Sequence, residues 1–238
     1  MPVTLHVWRV PRRAVGPALL RMAFTRRARP GVRFAKFLGT ASGFGPGDGD
    51  LTRYAAVTVS DDPVEWPGWD RLAVARARVD LSLLGSHGRW SGREPFGPPG
   101  ERWDGMVLAL TRARLRPAKA LTFWRAISPV ARELDGAPGL LASFGIGEAP
   151  IGWQGTVSVW REAADLTRFA YRQPEHRAVI ARTPAERWYA EELFARFAVR
   201  GISGDRTVLS WVAQDGLAEE RVADPVPDDR VAERGSER

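Results

Sequence analysis

Val3-Thr4-Leu5-His6-Val7-Trp8-Arg9-Val10, near the start of the chain, and Met106-Val107-Leu108-Ala109-Leu110-Thr111-Arg112-Ala113-Arg114, near its middle, are one kind of segment met twice. In each, apolar residues recur with a period of two, the mark of a strand with one buried face. Apolar residues spaced by three and four follow, which predicts helices over 15–27 and 117–134. Then come Gly-punctuated strands at 32–39 and 139–147, loops, and alternating strands at 53–60 and 154–162. Segments that begin helices near acidic residues come next, and 79–84 and 207–212 are the expected closing strands. An internal repeat has to be read before any motif. This one spells β-α-β-β-α-β twice, the ferredoxin-like order. The expected fold is therefore α+β, with tandem units at 1–90 and 106–215 packed sheet against sheet. The stretch between the units, 85–102, is rich in Gly, Pro and Arg and reads as a linker or a long functional loop, with the linker set at 91–105, and the acidic tail 216–238 reads as disordered.

Composition narrows the chemistry. The 238 residues include no Cys, which excludes disulfides, thiolate metal sites, iron–sulfur clusters and Cys nucleophiles together. Three His, His6, His87 and His176, leave little from which to build a multi-His metal centre. No apolar run is long enough for a transmembrane helix and no export signal is visible, so a cytoplasmic address is expected. The net charge is +7, while the tail 217–238 carries seven acids against four Arg. A basic body suits nucleic acid, anionic lipid or an acidic cofactor. Only Lys36 and Lys119 accompany the many Arg, and no helix-turn-helix, RRM-like or zinc-finger pattern is present, so no nucleic-acid partner is expected. The loops at 43–49 and 147–152 lack the strand–GxxxxGK[ST]–helix and GxGxxG contexts, and there is no G-x-S-x-G or H-E-x-x-H.

The densest chemistry lies between Trp160 and Phe197, where seven aromatics surround His176. Pro174 fits the start of a short helix that would carry His176 in its first turn. Pro184 starts another, predicted through Arg200, on which Tyr189, Leu193 and Phe197 recur every four residues. The residues leave two readings open. In one the aromatics are core and His176 is a partly exposed polar side chain. In the other His176 ligates a haem iron, with aromatic surface around the porphyrin and Arg on its propionates.

Phe169-Ala170-Tyr171 followed by His176, Arg182-Thr183 and Trp188-Tyr189-Ala190-Glu191-Glu192-Leu193-Phe194-Ala195-Arg196-Phe197 make up one ordered set of motifs. Leu110-Thr111-Arg112-Ala113-Arg114, Phe123-Trp124-Arg125 and Gly145-Ile146-Gly147-Glu148-Ala149-Pro150 complete it. Together these resemble the spheroidene monooxygenase family, over most of residues 3–200. The resemblance implies an intramolecular dimeric α/β-barrel of the kind found in haem proteins such as chlorite dismutases and haem-degrading monooxygenases. It implies a haem b-dependent monooxygenase that uses O₂ or peroxide, with an electron donor, on a hydrophobic carotenoid-like or secondary-metabolite substrate. His176 would be the iron ligand, Arg112 a distal catalytic group, and Phe144, Trp160 and Tyr171 the pocket lining. The alternative is a non-catalytic α/β-barrel that binds small ligands without metal, since folds outlive functions. Because one chain supplies both units, the barrel is expected to close within it, as a monomer or a homodimer through an outer surface.

Overall fold

A computed structural model describes residues 1–24, 29–43, 47–120, 122–123, 125, 133–134, 136–148, 153–172 and 188–211. The first unit contains β1 (Val3–Arg9), α1 (Val15–Phe24), β2 (Val32–Ala41), β3 (Gly49–Ser60), the short α2 (Pro67–Asp70) and β4 (Ala75–Gly88). The second contains β5 (Val107–Leu115), a 3-10 turn at Pro117–Lys119, β6 (Leu140–Gly147), β7 (Trp153–Trp160), α3 (Ala163–Arg172) and β8 (Tyr189–Gly204). The rest of the helix expected over 117–134 lies largely outside the described residues.

The strands close in the order β1-β3-β2-β6-β7-β5-β8-β4. Within that ring each unit keeps the ferredoxin-like neighbour order, β4-β1-β3-β2 and β8-β5-β7-β6, so the duplicated barrel read from the sequence is the architecture observed. Two antiparallel seams join the units. One runs from Ala77↔Gly204 to Gly88↔Leu193, whereas the other is limited to Gly39↔Gly147, Thr40↔Ile146 and Ala41↔Gly145. At the long seam Gly88 and Gly204 occupy equivalent ends of β4 and β8, with φ of +89° and +86°. A Cβ there would collide with the carbonyl of Glu192 or Arg76 on the facing strand, so both ends require glycine.

The barrel interior is solid. Val3, Leu5 and Val7 of β1 meet Leu108 and Leu110 of β5, Phe144 of β6 and Phe197 of β8 in one buried cluster. Trp90 and Phe96, from the crossover between the units, are also buried in it. Phe96 belongs to the stretch read as a linker.

Two sequence expectations are corrected. Residues 189–200 form the strand β8 rather than the end of a helix, and β8, not 207–212, is the second unit's outermost strand. Arg206–Leu209 is a 3-10 turn. A spacing of four fits a helix and equally fits two strand repeats. Leu193, Ala195, Phe197 and Val199 are buried, while Phe194 and Arg196 are exposed, so the true period is two.

Candidate functional site on the outer face of the second sheet

Each ferredoxin-like sheet has an inner face in the barrel and an outer face toward its helices, and the two outer faces are built differently. In the first unit, Trp8 stacks on His6, Phe37 and Trp69 at ring separations of 5.4, 6.4 and 5.2 Å, and Trp66 meets Phe37 edge-on at 4.8 Å. These rings pack between the sheet and its helices, and a cavity of about 410 Å³ lined by His6, Trp8, Glu65, Asp70 and Arg78 among others opens beside them. In the second unit the corresponding rows are small. Across β5, β7 and β6 they read Ala109–Ser158–Ser143 and Thr111–Thr156–Gly145, followed by Ala113–Gln154. On β8 the same rows continue into Arg196 beside Ala109 and Phe194 beside Thr111. The result is a flat, low floor on which Thr111 is central.

Trp160 stands at one end of this floor. It is fully buried, its Nε1 donates to Ser158 Oγ at 2.9 Å, and its ring lies 5.3 Å from Phe169 of α3. Phe123, Leu134, Leu140 and Trp188 join it in a cluster on the same side. A cavity of about 240 Å³ adjoins the floor, lined by Arg102, Val107, Ala163, Leu166 and Arg196 among others. Tyr171, near the end of α3, is 68% exposed. His176 lies outside the described residues. In sequence it falls four residues after Arg172, where α3 ends, and α3 packs over β5 and β7.

Arg112 and Phe144 face the other way. Phe144 is core, with the Arg53 guanidinium 5.1 Å from its ring. Arg112 is 3% exposed and points into the barrel, because it shares the parity of Leu108 and Leu110 along β5. Its Nε donates to Glu148 Oε1 at 3.1 Å, its Nη1 donates to Glu191 Oε1, and it lies over the Trp90 ring at 5.8 Å. Trp90 Nε1 also donates to Glu148 Oε1 at 2.7 Å, and Lys36 Nζ donates to Glu148 Oε2 at 2.8 Å. The amides of Ser91 and Gly92 donate to Glu191 at 3.0 and 2.7 Å. Burial tends to raise the Glu191 pKa, but those two amides together with Arg112 outweigh it and hold the carboxyl below its ordinary value. The network ties β2, β5, the end of β6, β8 and the crossover into one cluster. The four of the five sequence-selected residues that are described therefore do not share one face. Trp160 borders the outer floor, Arg112 and Phe144 occupy the inner face, Tyr171 faces solvent, and His176 is not described.

Three curated relatives decide the family. A spheroidene monooxygenase of Rhodobacter capsulatus is 32% identical over 218 residues, covering 83% of this chain and 87% of that protein. The chain belongs to the spheroidene monooxygenase family. A second member, from Rubrivivax gelatinosus, is 33% identical over 187 residues, covering 74% of this chain and 72% of its own length. A third, from Cereibacter sphaeroides, is 31% identical over 169 residues, 70% of this chain and 50% of the relative. No protein-family model matches the chain. Among solved structures, an aldoxime dehydratase in complex with butyraldoxime aligns at a TM-score of 0.49 and 12% identity, over 83% of this chain and 79% of that one. As a member of the spheroidene monooxygenase family the chain is a monooxygenase enzyme. Among its described residues no helix is long and apolar enough to cross a membrane.

The signal for the floor was present in the sequence, in the small residues at 109, 111, 113, 156 and 158. Glu148 and Glu191 are not recognisable in the sequence as partners of Arg112, nor Lys36 as a partner of Glu148, because these contacts bridge 36 to 112 positions.

Proposed function

We propose that this chain inserts oxygen into a carotenoid-like apolar substrate at the outer face of its second sheet, with haem b seated there. The observation that carries the reading is the contrast between the outer faces. On the first, the large rings of Trp8, Phe37, Trp66 and Trp69 stand on the sheet, whereas the second offers a floor of Ala109, Thr111, Ala113, Thr156 and Ser158. A broad planar group needs such a floor, because any large side chain on it would occupy the plane of the ring. Bound haem supplies the activation of O₂ that oxygen insertion requires. His176 is the residue proposed to hold the iron, as the one His within the motifs that resemble the family. Arg196 and Arg102, at the cavity beside the floor, provide guanidinium groups for the carboxylates of such a cofactor.

The chain's own residues would act around that group by position. Trp160 and Phe169 wall one end with apolar surface and limit water there. Arg112, held between Glu148 and Glu191 on the inner face, fixes the strands beneath the floor rather than meeting the reacting atoms. The barrel interior is packed with side chains, so an elongated apolar substrate would approach along the outer side of the sheet. A cysteine-free chain suits the reducing cytoplasm, where a reductant can deliver electrons.

The test is turnover under ¹⁸O₂. The purified chain, haemin, a reductant and spheroidene in detergent micelles should give a product that carries ¹⁸O, detected by mass spectrometry. Unlabelled product, or no product from haem-loaded protein, would refute the proposal.

A further inference from the structure

The outward side of α1 departs from the pattern of a surface helix, whose solvent-facing stripe is polar. Ala18 is buried, and Val15 and Met22 pack on the aromatic layer beneath the helix. Leu19, Leu20 and Phe24, by contrast, are 42%, 62% and 71% exposed. At the helical period, these three share one continuous outward arc with Gly16, Pro17 and Ala23, and no polar side chain interrupts it. Arg12 and Arg13, exposed in the 3-10 turn that leads into α1, and the exposed Arg21 flank the arc, and residues 12–24 contain no acid.

An exposed apolar stripe with a basic border identifies what it fits. We propose that α1 docks the protein on an anionic lipid bilayer, with Leu19, Leu20 and Phe24 entering the acyl boundary and Arg12 and Arg13 meeting lipid phosphates. A second copy of the chain is the poorer occupant. A two-fold contact through this face would set Arg12 and Arg13 against their own counterparts, with no acid on residues 12–24 to offset them. Anionic headgroups provide the complementary charge. The inference is independent of the oxygenase site, because α1 belongs to the first unit and the small-residue floor to the second.

The test is cosedimentation of the full-length protein with vesicles, without haemin or substrate, so its outcome does not depend on the cofactor. The wild-type chain is expected to pellet with phosphatidylglycerol–phosphatidylcholine vesicles, less so at high salt, and to stay in solution with phosphatidylcholine alone. Leu20→Ser with Phe24→Ser should weaken partitioning by at least about tenfold, with an unchanged far-UV spectrum and melting temperature. Arg12→Gln with Arg13→Gln should remove the preference for anionic lipid. Leu51→Ser, at another exposed apolar position, should bind like the wild type. The proposal is overturned if the wild type ignores anionic vesicles, if the α1 variant binds as well as the wild type, or if Leu51→Ser is equally defective. It is also overturned if light scattering shows a dimer that the α1 variant dissolves, since a second copy would then cover the face.

Discussion

Replacing Arg112 with Ala separates a structural role for this residue from a catalytic one. The side chain is 3% exposed, and the Glu148 and Glu191 side chains are 10% and 17% exposed, so the substitution leaves two largely buried carboxylates without their shared cation. Breaking a buried ion pair by removing one partner costs about 3–5 kcal/mol. Here Glu191 keeps the amides of Ser91 and Gly92, and Glu148 keeps Lys36 and Trp90, which favours the lower end, about 3 kcal/mol. For a chain of this size each kcal/mol moves the melting temperature by roughly 2–4 °C, so a fall of about 6–12 °C is expected by circular dichroism. Adding Glu148→Gln to Arg112→Ala should recover part of the loss. At a temperature where the variant is folded, it should still take up haemin. A variant that melts with the wild type yet no longer binds haemin would refute the argument, because Arg112 would then reach the cofactor side of the sheet.

Two further outcomes follow from single residues. Burial lowers the His6 pKa from 6.5 to about 4, against the opposing pull of Glu65, Asp70 and Asp80, and neither ring nitrogen has a hydrogen-bond partner among the described residues. Because the folded-state value lies below the unfolded one, the stability contributed by neutral His6 is complete above pH 6.5 and declines toward pH 4, by up to about 3 kcal/mol. Urea midpoints at pH 7 and pH 5 should therefore differ less in His6→Phe than in the wild type, and an unchanged difference would rule out His6 as the source. Thr111→Trp places an indole at the centre of the small-residue floor and should abolish haemin uptake without lowering the melting temperature by more than a few degrees. Unimpaired uptake would mean that the floor is not the seat of the cofactor.

Much of the fold is legible in local pattern because each strand reports its buried face through alternation. The repeated runs at 3–10 and 106–114 gave the two units and their order. By four-residue spacing alone β8 is not distinguishable from a helix, because Tyr189, Leu193 and Phe197 satisfy helical and strand spacing alike. Ala195, between Leu193 and Phe197, and Val199, two residues further on, are what select the strand. Parity also held information about Arg112, which shares a face with Leu108 and Leu110 and so had to be buried. Its carboxylate partners depend on which strands become neighbours across the barrel, which no local window contains. Likewise Trp90 and Phe96 fill the barrel from a Gly- and Pro-rich stretch whose composition reads as a linker or a loop rather than as core. The floor is not legible in a local window because Ala109, Thr111 and Ser158 are ordinary residues one at a time. Their meaning comes from lying side by side opposite a first unit packed with tryptophan.

The central claim is that the second unit holds haem through His176, above the floor of β5 and β7. Titration of the purified chain with haemin, followed in the Soret region, tests it most directly, with His176→Ala and the aromatic-filled His6→Phe measured in parallel. The account predicts a saturable, shifted Soret band in the wild type and in His6→Phe that is lost or severely weakened in His176→Ala. A wild-type chain that leaves the haemin spectrum unchanged, or a His176→Ala variant with the wild-type band, would contradict it.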